Sequence, residues 1–156
     1  MSPISTTAAY GASSRTAQAS STSTVKNVSE FAGRILLSVL FLLSGAGKIG
    51  AYAGTAAYMS SAGVPGVLLP VVIATEILGA IAIILGWQTR VAALLLAGYS
   101  LLAAVIFHSN FANQIEMVMF LKNVSIAGGF LLLAANGAGP LSLDSRFAKL
   151  RQLANR

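Results

Sequence analysis

Apolar residues fill four long stretches of the chain: Phe31 to Ile49 and on toward Tyr58, Val67 to Leu85, Val91 to Phe107, and Met117 to Ala135. Short breaks carrying Gly, Pro or charge divide them, among them GWQTR at 86–90 and NGAGP at 136–140. None of the stretches alternates apolar and polar residues as a barrel strand would. At about 1.5 Å per residue each is long enough to cross a hydrocarbon layer of about 30 Å as a helix. Backbone groups in lipid must pair within their own segment, which again selects helices. The pattern predicts an all-α fold, a membrane-spanning antiparallel four-helix bundle, with GWQTR too short for anything but a tight antiparallel connection.

Composition strengthens this reading. Hydrophobic residues make up 56% of the chain and charged residues only 9%, against about 25% charged in an ordinary soluble domain. Mean hydropathy is +0.79, and a soluble fold of this length could not hide so much apolar surface. The absence of cysteine removes disulfides, thiol catalysis, iron–sulfur clusters and thiolate zinc sites. A single histidine removes a bis-histidine haem, so no metal site is expected. The net charge of +6 is spread along the chain without interleaved aromatics, which points to the lipid bilayer as partner and away from nucleic acid.

Three regions follow: a Ser/Thr/Ala-rich tail over 1–28, expected to be disordered; the transmembrane domain over 29–145; and a basic C-terminal tail over 146–156. With four crossings both termini share a side. That side holds Arg15, Lys26, Arg34, Arg90, Arg146, Lys149, Arg151 and Arg156, while Lys48 and Lys122 lie on the other, so both termini are expected in the cytoplasm. The tail RFAKLRQLANR reads as a basic amphipathic helix on the membrane surface, a lipid anchor or, alternatively, a partner site. Ala46, Gly50 and Gly54 at four-residue spacing, with Gly79, Gly128 and Gly129, predict closely packed walls. GAGKIG at 45–50 has the spacing of a dinucleotide loop but lies inside a membrane helix with no preceding strand, which excludes that use.

Polar residues inside the apolar stretches supply the candidate chemistry. Glu76 stands in VVIATEILGAIAIILG, about 15 Å from Gly86 and so close to the midplane. A charge there costs about 2.5–3.5 kcal/mol unless it is neutral, paired or wetted. Lys48 and Lys122 are the expected partners, two ammonium groups on one acid, leaving a positive surplus that an anionic or carbonyl-bearing ligand would balance. His108 reaches the outer hydrocarbon edge, and Gln114, Glu116 and Asn123 lie in or near the outer loop. The ligand-binding candidates are therefore Lys48, Glu76, His108, Gln114, Lys122 and Asn123. An interhelical Glu–Lys fastening with no ligand is the competing reading.

The ordered series Arg34, LSGAGK with Lys48, GVP at 63–65, TEILGAIAIILGWQTR, FHSNF with His108, FLKN with Lys122 and Asn123, and GAGPLSLD ending at Asp144 resembles the DoxX family of small four-helix membrane proteins over roughly residues 31–145. The resemblance implies a bacterial inner-membrane protein whose relatives serve quinone-linked oxidases or thiosulfate-oxidising complexes. It carries over the polar set above, with Arg90 and Asp144 at the cytoplasmic face. Ser109 and Asn110 stand where the family commonly has an acidic and aromatic pair after the histidine. The expected function is an accessory subunit of a quinone- or sulfur-linked oxidoreductase complex with a protein partner, quinone being the candidate cofactor; a membrane scaffold or assembly factor is the alternative. These residues build no electron carrier, so electrons would come from a bound quinone or the partner. A transporter would typically carry inverted repeats, and none is evident.

Overall fold

The computed structural model describes the backbone of residues 5–155 and the side chains of residues 23–155. Helix α1 covers Ser5–Gly50 and α2 covers Tyr52–Ser61. A single 3-10 turn at Gly66–Leu68 leads into α3, Leu69–Leu85. Then follow α4 at Thr89–Phe107, α5 at Gln114–Asn136 and α6 at Leu143–Ala154. No strand occurs among the described residues, and four segments are long and apolar enough to cross a membrane: Ser23–Gly50, Gly66–Leu85, Thr89–Phe107 and Gln114–Asn136. The helix of α1 continues back past residue 29 into the segment expected as a disordered tail. No proline interrupts residues 5–28. Most of that segment's side chains lie outside the described residues.

The bundle is a ring. Helix α1 packs on α3, α3 on α4, and α4 on α5 along its length, and a thinner contact between α1 and α5 completes the circuit. The interior is built from small residues around a few large ones: Ala80, Ala93, Ala97 and Ala127 surround Phe41, Ile83, Leu96 and Phe130. The Phe41 ring meets Phe130 edge-on at 5.4 Å and Tyr99 at 6.2 Å, joining α1 to α5 and α4. Only 17–33% of each span is buried in the bundle, so most of its surface is left for lipid.

Of the residues expected to thin the walls, Gly79 and Gly129 do so, joined by Gly45, while Ala46, Gly50, Gly54 and Gly128 do not. A Cβ at Gly45 would stand 2.7 Å from Ile77, at Gly79 2.9 Å from Leu96 and at Gly129 3.1 Å from Leu37, so these three set the α1–α3, α3–α4 and α1–α5 separations. Gly50, Gly54 and Gly128 meet nothing within 4 Å, and Ala46 is exposed. Four-residue spacing along one helix identifies a face without saying which way it turns. The first span breaks at Ala51, which leaves helical geometry at φ −111 and ψ 36, and α2 then continues to Ser61.

At the other end of the bundle α3 stops where Trp87 N–H donates to Ala82 O and Gly86 N–H to Ile83 O, with Gly86 left-handed at φ 67. The Arg34 guanidinium, 1% exposed, donates to Ile83 O and to Leu141 O. Asp144 closes the same junction. Its N–H donates to Gly86 O at 2.9 Å, and its carboxylate accepts from Gln88 N–H at 2.8 Å and Thr89 N–H at 2.9 Å, capping α4. Gly86 is required twice over, for its φ and because a Cβ would collide with Arg34 and Ser142.

Replacing Asp144 by Ala should therefore cost about 1–2 kcal/mol of stability. Gly86→Ala should cost more, at least about 2 kcal/mol, since left-handed strain and overpacking add. Thermal unfolding of the detergent-solubilised protein checks both, with Gly128→Ala as a control expected to change little.

Candidate functional site

Glu76 is the buried acid of the bundle, 3% exposed, and three helices converge on it. From α1, Lys48 Nζ lies 2.9 Å from both carboxylate oxygens. Ser44, one turn earlier on α1, donates to Oε1 at 3.2 Å and accepts from Lys48 Nζ at 2.6 Å. From α4, the Tyr99 hydroxyl donates to Oε1 at 2.6 Å. Spacing explains the geometry: Ser44 and Lys48 are four residues apart and so share a face of α1. Gly45 and Gly79 let the neighbouring helices come close enough for these side chains to reach α3.

A count of donors shows what the cluster can do. An ammonium has three N–H groups, and those of Lys48 are taken by Ser44 Oγ and the two Glu76 oxygens. The hydroxyls of Ser44 and Tyr99 each spend their single O–H on Oε1. The set is closed and charge-neutral in its paired form: one cation, one anion and two hydroxyls, with no donor left over. The Lys48 side chain remains 23% exposed against 4% for Glu76, so the lysine is the accessible member of the ion pair.

Of the six residues expected at one site, the structure brings together two, Lys48 and Glu76. Lys122 is a correction to the two-lysine clamp: it lies on an exposed face of α5, and its Nζ donates to Met119 Sδ at 3.2 Å, one turn back. Asn123 donates to Met119 O at 3.1 Å within α5. His108, at the end of α4, hydrogen-bonds Glu116 through Nδ1 at 2.6 Å, so Glu116 is partnered as well. Gln114 is the exposed first residue of α5. Height along a helix was a sound guide to Lys48 and Glu76, but height alone does not fix the side of a helix, and Lys122 faces away. Without it the positive surplus disappears.

Ser44 and Tyr99 were missed. The signal for Tyr99 was there: it lies about 15 Å from Thr89, as Glu76 lies about 15 Å from Gly86, and a mid-span tyrosine buries a hydroxyl that needs a partner. Ser44 sits four residues before Lys48, a position from which a side chain meets it. Among the described residues no group of three His, Asp or Glu side chains could hold a metal ion.

Comparison with known proteins agrees with the architecture. The family model described as DoxX matches residues 30–109. The chain is 50% identical over 120 residues to "Inner membrane protein YqjF" of Escherichia coli (strain K12), covering 77% of this chain and 92% of that protein. It is 43% identical over 120 residues to "Inner membrane protein YphA" of the same organism, covering 72% and 86%. No solved structure matches. The matched region takes in the whole of Ser44, Lys48, Glu76 and Tyr99, and on these grounds the chain belongs to the DoxX family.

Proposed function

We propose that the chain is a multi-pass protein of the bacterial inner membrane acting as a non-enzymatic scaffold or assembly factor for a membrane redox or stress-response partner. Its Lys48–Glu76 network is a fastening. The carrying observation is the closed donor set: each N–H and O–H of Lys48, Ser44 and Tyr99 ends inside the cluster, which leaves none to offer a ligand. The inner-membrane location rests on the four spans and on the names of the two E. coli relatives. Both termini are placed in the cytoplasm because Lys26, Arg34, Arg90 and the basic residues of α6 outnumber Lys48 and Lys122.

One observation favours the other reading, an accessory subunit of a quinone- or sulfur-linked oxidoreductase with the cluster as ligand site. The exposed part of Lys48 gives a carbonyl or anionic group a route to the ammonium if it displaces Ser44. Electrons would then come from the ligand or from a partner.

Variants of the pair separate the two. Lys48→Met or Glu76→Gln alone breaks a buried ion pair and should cost about 3–5 kcal/mol. Tyr99→Phe removes one charge-assisted hydrogen bond and should cost about 1.5–3 kcal/mol. The double variant Lys48→Met/Glu76→Leu should recover most of the single-variant loss, because an apolar pair of similar volume replaces an ionic one at little net cost. If the recovered double variant still co-purifies with the wild-type partners, the scaffold reading holds. If native mass spectrometry finds a quinone or sulfur species on the wild type that the folded double variant lacks, the ligand reading replaces it.

A further inference from the structure

We infer that α6 is a docking surface for anionic phospholipid headgroups, lying along the membrane at the end of the bundle where α4 begins. Past its first turn the helix has no cover: from Arg146 through Asn155 the residues are exposed, including Phe147 at 49%, Leu150 at 61% and Leu153 at 67%. A helix that buries nothing against its own protein yet carries three large apolar side chains needs another apolar medium. Helical spacing puts Leu143, Phe147, Leu150 and Ala154 on one arc with Leu153 at its edge. Lys149 and Arg151 flank that arc on its two sides and Arg146 lies between Leu153 and Leu150, while Ser145, Ala148 and Gln152 occupy the opposite face. Apolar side chains sinking below the headgroups while flanking cations reach the phosphates is the arrangement such helices use at an interface.

A second, independent feature sets the height of the helix. Ser142 caps it, its Oγ accepting from Ser145 N–H at 3.2 Å, and Asp144 in its first turn binds Gly86 O and the N–H groups of Gln88 and Thr89. The junction it grips carries Trp87, 53% exposed, and is followed by Arg90, residue types that mark a membrane boundary. The helix therefore leaves the bundle at the level of the headgroups. A surface of that depth offers acyl chains below and phosphate above, and the excess of cations selects anionic lipid over zwitterionic lipid.

The chain has no cysteine, so single-cysteine variants of the full-length protein report on one site each. Leu150→Cys on the apolar arc and Ala148→Cys on the opposite face are labelled with an environment-sensitive fluorophore. The labelled protein is placed in nanodiscs of phosphatidylcholine, with and without phosphatidylglycerol, and quenched with acrylamide. In anionic discs the Leu150→Cys label should be blue-shifted and about fivefold or more protected relative to Ala148→Cys. Each cation near an anionic surface contributes roughly a factor of five in affinity. Arg146→Gln/Lys149→Gln/Arg151→Gln should therefore abolish that protection while the bundle melts as before. Equal quenching of the two labels in anionic discs would overturn the inference. So would protection that persists in the triple variant, or that develops only when a soluble protein fraction is added, which would assign the face to a protein partner.

Discussion

A carboxylate cannot stay ionised and unpartnered in the middle of a bilayer, and much of the bundle's specificity follows from how Glu76 meets that constraint. Its partners come from helices on both sides of α3: Lys48 and Ser44 from α1, Tyr99 from α4. Each bond fixes a height as well as a neighbour. A shift of α1 by one turn, about 5.4 Å, would carry Lys48 out of reach. The glycines beside the network belong to the same device. Gly45 lies against Ile77 and Glu76 Cβ, and Gly79 against Leu96, so the walls are thinnest next to the acid.

A second fastening acts at the far end of the same helices. Arg34 on α1 reaches the Ile83 carbonyl in the last turn of α3 and the segment after α5, and Asp144 ties that segment to the start of α4. Two polar ties separated along the helix axes hold α1, α3 and α4 in register much as two pins hold a hinge plate, with little freedom to slide or rotate. Helix α5 is attached differently. It packs along α4 and presents Phe130 to Phe41, and its polar link to α4 is the His108–Glu116 bond at the α4–α5 loop. The bundle thus consists of three pinned helices and a fourth held mainly by packing.

The fold was legible in the sequence because hydropathy and span length act locally: each apolar run identifies its own helix, and GWQTR forces two of them antiparallel. The acid and one lysine were legible for a related reason, since counting along a helix gives depth. Azimuth was not legible. Lys122, Gly50, Gly54 and Gly128 all sit at reasonable heights and turn outward, and in a helix apolar on nearly every side no stripe of polar residues marks which face is which. Tyr99 is not among the sequence candidates, although its mid-span depth leaves a hydroxyl in need of a buried partner. The role of Asp144 as the cap of α4 depends on a contact across 55 residues of sequence, which no local pattern announces.

Polar ties matter more here than in a soluble protein of the same size. With most of each span facing lipid, the helices gain little from the hydrophobic effect on associating, because lipid tails are as apolar as the side chains they would replace. Leu-, Ala- and Ile-rich helices of similar composition can then pair in several orders at similar cost. An ion pair need not add net stability to be useful in that setting, since wrong pairings leave a charge stranded and so are the ones penalised. The closed Lys48–Glu76–Tyr99 network discriminates among helix arrangements in this way while keeping the carboxylate itself almost fully buried. What remains outward is mostly the apolar surface of the spans and, at one end, the exposed basic helix α6.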